Sequence, residues 1–199
     1  ARAVGPHGTV AAVCVWPRLA AFARARLPGA VAVAAVANFP DGSTDHERAV
    51  RETRAIVAAG AQEVDLVLPW RALAAGDASA CTALLTAVRR ACEGRVLKVI
   101  LESGELQDPA LIRRASDLAL DAGADFLKTS TGKTPTGATL AAARVMLQAI
   151  AEHPRARSRA GFKASGGIRR VADARPYLEL VAATLGPDAL TPARLRIGA

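Results

Sequence analysis

The chain has 199 residues, of which 51% are apolar, and a formal charge of +8. That length suits one domain with a sizeable core, residues 1–199, and leaves little room for two. No apolar run reaches the roughly 18 residues of a membrane span and the N-terminus lacks the basic-then-apolar layout of a secretory leader, so the chain reads as cytoplasmic with no membrane contact. The charge suits an anionic partner, but nucleic acid is not expected. Arg24, Arg26, Arg89 and Arg90 are scattered along helical patterns, and 4% aromatic residues cannot build a base-stacking platform.

In chain order, seven apolar runs bounded by polar or glycine-rich turns read as strands: TVAAVCVW (9–16), AVAVAAVAN (30–38), EVDLVL (63–68), RVLKVIL (95–101), ADFLKTS (124–130), GFKASGG (161–167) and RLRIGA (194–199). Most are continuous and do not alternate, the pattern of strands buried on both faces. Helical patterns lie between them. Thr44 and Glu47 have capping-box spacing ahead of a helix with Val50, Thr53 and Val57 on its inner face and Gly60 as its stop. Asp108-Pro109 opens another, with Leu111, Ala115 and Leu118 inward and Gly123 closing it. Residues 77–93 and 138–152 read the same way, and Tyr177 lies in a further helical pattern.

Strand and helix thus alternate throughout. Equivalent strand positions 65, 98, 128 and 163 are 33, 30 and 35 residues apart, close to the roughly 31 per unit of an eightfold barrel. The predicted fold is α/β, a (β/α)8 TIM barrel, with an open doubly wound sheet as the alternative.

Three cysteines, Cys14, Cys81 and Cys92, have no metal-ligand spacing and read as reduced core thiols. The lysines say more. Among 26 basic residues only Lys98, Lys128, Lys133 and Lys163 are lysine, and three of them lie in or at the end of strand-like runs. Arginine keeps its proton in proteins, whereas a desolvated lysine can become a neutral nucleophile. In a barrel the active site sits at the C-terminal ends of the strands, which brings together Asp65, Lys98, Glu102, Lys128 and Lys163. Lys128 and Lys163 fall on consecutive strands about 4.8 Å apart, where repulsion and burial would lower the pKa of one amine. Taken alone, Asp65 could equally be an ion-pair partner of Lys98, and Glu102 could cap a helix. The turns Thr131-Gly132-Lys133 and Ser165-Gly166-Gly167-Ile168-Arg169 offer backbone N–H groups and cations suited to a phosphate.

The runs VCVWPR (13–18), ANFPDG (37–42), GAQEVDLVLPWRAL (60–73), LKVILESGEL (97–106), AGADFLKTSTGKTPTGAT (122–139) and GFKASGGIR (161–169) closely resemble the deoxyribose-phosphate aldolase family in order and spacing. The resemblance implies a class I aldolase on a (β/α)8 barrel, without metal or cofactor, that cleaves 2-deoxy-D-ribose 5-phosphate reversibly to D-glyceraldehyde 3-phosphate and acetaldehyde in deoxyribonucleotide breakdown. Lys128 would be the Schiff-base lysine. Lys163 would be the second lysine that lowers its pKa, and Asp65 a proton shuttle working through a water. Gly132, Lys133, Gly166, Gly167 and Arg169 would hold the phosphate, with Lys98, Thr131 and Gly198 as further substrate-binding positions. Cys14 matches a family cysteine near the pocket, without a catalytic role. A homodimer fits the same resemblance. Relatives usually have an additional first strand and a longer C-terminal tail, so a barrel lacking both is expected here, with exposed strand edges. A non-catalytic sugar-phosphate binder, another Schiff-base aldolase or a transaldolase remain as alternatives.

Overall fold

The computed structural model describes residues 4–5 and 8–198; Ala199, the end of the last predicted strand, lies outside the described residues. Two short strands, β1 (Val4–Gly5) and β2 (Gly8–Thr9), pair antiparallel ahead of the main sheet. Seven parallel strands follow: β3 (Ala12–Val15), β4 (Ala32–Ala37), β5 (Glu63–Val67), β6 (Val96–Ile100), β7 (Phe126–Lys128), β8 (Gly161–Ser165) and β9 (Leu195–Gly198). They pair in unbroken chain order. A doubly wound sheet reverses its strand order at a switch point, so that alternative falls.

The sheet is curled. Arg196 on β9 donates to Glu63 Oε1 on β5 at 3.0 Å, across four inter-strand steps that would span about 19 Å in a flat sheet. Among the described residues no ladder joins β9 back to β3, leaving the barrel with a seam between two edge strands, as expected for a barrel short of one strand.

The helices are α1 (Ala20–Arg26), α2 (His46–Ala58), α3 (Trp70–Ala74), α4 (Ala78–Ala91), α5 (Ser103–Leu106), α6 (Pro109–Asp121), α7 (Leu140–Glu152) and α8 (Val171–Leu185). The apolar core lies between sheet and helices: Val64, Leu66, Leu97, Val99, Leu127 and Phe162 are fully buried there. Alternate strand positions point into the barrel instead, which is why polar residues interrupt otherwise apolar runs.

Local expectations shift by about a residue. The cap of α2 is Asp45, whose side chain accepts from Arg48 N–H, and not Thr44. Its buried stripe is Ala49, Thr53 and Ile56, so Val50 and Val57 flank the core. In α6, capped by Asp108, Ile112, Ala115, Ser116, Ala119 and Leu120 are buried, while Leu111 and Leu118 are half-buried. Apolar side chains at neighbouring helical positions satisfy the same periodicity, and only packing selects among them.

Candidate active site

Inward-pointing residues at the C-terminal half of the barrel form one ion cluster. Asp65, at the middle of β5, is fully buried. Its Oδ1 accepts from Lys98 Nζ at 2.7 Å, and its Oδ2 accepts from Lys128 Nζ at 2.9 Å and Lys163 Nζ at 3.0 Å. Parallel register places these groups side by side: Asp65 opposite Lys98, Lys128 opposite Lys163, and Lys163 opposite Arg196. Burial pushes the Asp65 carboxyl up, but the ammonium groups of Lys128, Lys98 and Lys163 outweigh it and hold the carboxyl well below the usual carboxylate range. Lys98 also meets Glu63 at 2.5 Å and is 1% exposed, so it lies beneath the site as a strut for Asp65.

Above the cluster opens a cavity of about 300 Å³ lined by Cys14, Val15, Trp16, Val36, Phe39, Lys128, Thr131, Lys133, Lys163, Ser165 and Gly198. Strands β3 and β9, at opposite edges of the sheet, therefore share one pocket. Trp16 and Phe39 meet edge to face with ring centroids 5.2 Å apart and form its apolar wall. Cys14 is not a core thiol, as its strand suggests; it sits on an edge strand and opens on this cavity, whereas Cys81 and Cys92 are buried. Desolvation and the Asp65 charge push the Cys14 thiol up, and its S–H points to Asp65 Oδ2 at 3.7 Å. It is poorly suited to act as a thiolate nucleophile.

The rim is built from loops locked to one another. Thr129 Oγ1 and Ser130 Oγ both donate to Ser165 O, at 3.0 and 2.7 Å, and Ser165 N–H donates back to Thr129 Oγ1. Gly137 and Gly166 approach so closely that a Cβ on Gly137 would come within 2.5 Å of Gly166 backbone. Gly132, between two cavity-lining residues, has φ +74°, a conformation glycine adopts without strain. Gly166 and Gly167 continue the rim with φ +86° and +83°. Arg169 follows on the surface, where its backbone N–H is taken by Asp173.

Of the residues singled out from sequence, Lys128, Lys163, Thr131, Lys133 and Gly198 line the cavity. Lys98 and Asp65 lie below it, and Gly166, Gly167 and Arg169 stand around it without lining it. Sequence reasoning passed over Trp16 and Phe39 as site residues, placed Ser165 only within a phosphate turn, and did not assign Glu102 its role. Scarcity of aromatics was a usable signal for the first two. Among the described residues no group of three or more His, Cys, Asp or Glu is placed to hold a metal ion, and no described helix is long and apolar enough to cross a membrane.

The sequence matches the family described as DeoC/LacD family aldolase over residues 2–184. A curated deoxyribose-phosphate aldolase of Agrobacterium fabrum (strain C58) is 49% identical over 201 residues, covering 100% of this chain and 76% of that protein. A crystal structure of a Toxoplasma gondii ME49 protein provisionally assigned as a deoxyribose-phosphate aldolase, in apo form, superposes with a TM-score of 0.88 at 29% identity, over 98% of this chain and 79% of that one. A deoxyribose phosphate aldolase from Aeropyrum pernix, described as a unique tetrameric structure, gives 0.70 at 27% identity over 94% and 71%. With nearly the whole chain matched and the barrel shared, this chain belongs to the DeoC/LacD family of aldolases.

Proposed function

We propose that the chain cleaves 2-deoxy-D-ribose 5-phosphate reversibly to D-glyceraldehyde 3-phosphate and acetaldehyde, with Lys128 as the Schiff-base lysine. The observation that carries this is the pairing of Lys128 and Lys163 on one oxygen of a buried aspartate, at 2.9 and 3.0 Å, on the floor of an open cavity.

The free amine of Lys128 attacks C1 of the open-chain sugar, and water leaves to give an iminium. The hydroxyl on C3 gives up its proton, the C2–C3 electrons move into the iminium, and D-glyceraldehyde 3-phosphate departs. The enamine left on Lys128 takes a proton at C2, and water then releases acetaldehyde and the amine. The iminium is itself the electron sink, so the step needs no cofactor. Asp65 and Lys163 are within reach of the Lys128 amine and take the acid/base roles, passing protons through a water. Lys98, braced by Glu63, keeps Asp65 in place. Lys133 and the glycine turns face the phosphate, with Gly132, Gly166 and Gly167 offering backbone N–H groups and Arg169 and Gly198 at the margin; Trp16 and Phe39 shield the reacting carbons from water.

A cytoplasmic setting, a place in deoxyribose phosphate breakdown and a homodimeric state belong to the same reading; the tetrameric Aeropyrum pernix relative supports self-association in general. Incubation with acetaldehyde and borohydride tests the core of it. Reduction should leave an ethyl group on Lys128, located by peptide mass. A folded protein that gains none there would be a sugar-phosphate binder and not an aldolase.

A further inference from the structure

Glu102 is fully buried on the far side of the phosphate rim, and it touches neither the lysine cluster nor the cavity. Its backbone is left-handed, φ +54° and ψ +52°, a conformation that a non-glycine residue holds only under strain. It occupies the N-cap position of α5, but its side chain makes no capping hydrogen bond. Its carboxyl oxygens accept instead from Thr131 N–H at 3.1 Å, from Thr131 Oγ1 at 2.6 Å and from Thr134 Oγ1 at 3.2 Å. Two more ties join the same segments: Ser103 N–H donates to Thr129 O at 2.9 Å, and a Cβ on Gly104 would lie 2.2 Å from Thr136 O.

This arrangement decides what the loop can offer an anion. A hydroxyl has one proton to give. That of Thr131 goes to Glu102, and its oxygen accepts Lys133 N–H at 3.0 Å. The donors of the 131–133 turn left for a phosphate are the Gly132 N–H and the Lys133 ammonium. An acidic group directly behind an anion site works against phosphate by charge alone, so what it contributes there is geometric.

We infer that Glu102 is the positioning residue that holds the 131–134 turn in its phosphate-gripping shape, acting on the phosphate end of the substrate and not on the carbonyl end. This rests on the reading above. The test compares wild type, Glu102→Ala and Glu102→Gln on deoxyribose 5-phosphate and on unphosphorylated 2-deoxyribose. Losing three hydrogen bonds to a buried carboxyl should raise KM for the phosphate ester about tenfold or more while kcat changes by less than about threefold. Cleavage of 2-deoxyribose should hold within about threefold, as expected when only uniform binding at the phosphate is lost. Glutamine keeps the acceptor for Thr131, and Thr134 can turn to Thr136 O at 3.3 Å, so Glu102→Gln should recover most of the affinity. Should Glu102→Ala not fold, Thr134→Val, which deletes one bond, should show the same split at about threefold.

Equal losses on both sugars, or no loss on either, overturn the assignment. Amide exchange in inorganic phosphate gives a reading independent of turnover: phosphate should slow exchange at Gly132 in wild type and much less in Glu102→Ala, and equal protection in both overturns the inference. A wild-type protein that cleaves neither sugar overturns the aldolase reading instead, and the exchange measurement still decides the role of Glu102.

Discussion

The two ends of the barrel use positive charge in opposite ways. At the C-terminal end the cations facing the cavity are lysines, Lys128, Lys133 and Lys163. At the N-terminal end they are arginines wired to backbone carbonyls. Arg24 donates to Val31, Leu27 and Pro28 at 2.9, 2.8 and 3.0 Å. Arg89 reaches Asp125 at 2.9 Å and the carbonyls of Cys92 and Arg95 at 2.7 and 2.6 Å, and Arg194 joins Ala160, Ser158 and Arg157. Each arginine closes a turn that leads into a strand by donating to several of its carbonyls at once. A guanidinium supplies five donors and keeps its proton, which suits a permanent clamp; a reacting amine has to give its proton up. A larger cavity, about 560 Å³ beside Arg89, Arg95 and Asp125, lies at the clamped end, where the Arg89 guanidinium is already committed to carbonyls.

The comparison breaks most sharply at position 128. Lys128→Arg keeps the charge beside Asp65 and Lys128→Leu removes it, yet both should lose all detectable retro-aldol cleavage while remaining folded by circular dichroism, because neither side chain can form an imine. Residual cleavage by the arginine variant would show that charge alone suffices at this end. Asp65→Asn comes next. It leaves three ammonium groups without their shared counter-charge, so a stability loss of about 3–5 kcal/mol is expected, together with cleavage lowered roughly 100-fold or more. Denaturant titration and initial rates measure the two. The pH dependence has a definite sign: because the folded carboxyl is held below its unfolded value near 3.9, its contribution is complete above that pH and is lost as pH falls through the folded value. Wild type should therefore weaken steadily below about pH 4, and the asparagine variant should lose that component of the slope.

How much of this was legible beforehand depends on which interaction fixes each feature. The strands and their order follow from continuous apolar runs at near-constant spacing, and the choice of lysine over arginine at 128 and 163 marked the chemistry. Register then carried Lys128 to Lys163. Features fixed by contacts between distant segments were not legible. Nothing near Glu102 in the sequence shows that its side chain reaches residues 131 and 134, and the apolar neighbours of Cys14 disguise a residue that an edge strand turns toward the cavity. Lys98 looked like a substrate ligand because it shares the strand-borne pattern of Lys128. Two acids on the neighbouring strand β5, Glu63 and Asp65, draw its amine down to 1% exposure, and that choice is made across strands.

At the clamped end the expected effects are smaller and fall on stability. Arg89→Lys replaces a planar fork with three donors on a flexible stem and should forfeit the carbonyls of Cys92 and Arg95, about 2 kcal/mol. At roughly 2–4 °C per kcal/mol for a chain of this size, the melting temperature should drop by about 4–8 °C with kcat unchanged at 25 °C.

Arg24→Lys should be milder still. Its three carbonyl partners all lie within the turn from α1 to β4, and the side chain is half-buried, so water replaces part of what is lost and about 1 kcal/mol is expected. The turn is also close to the seam, since β4 pairs with the edge strand β3. Melting should fall by about 2–4 °C, and deoxyribose 5-phosphate cleavage below the transition should match wild type. If kcat fell while melting held, the arginine would be acting along β4 on Phe39 in the cavity wall, and the division between a clamped end and a reacting end would fail at this strand.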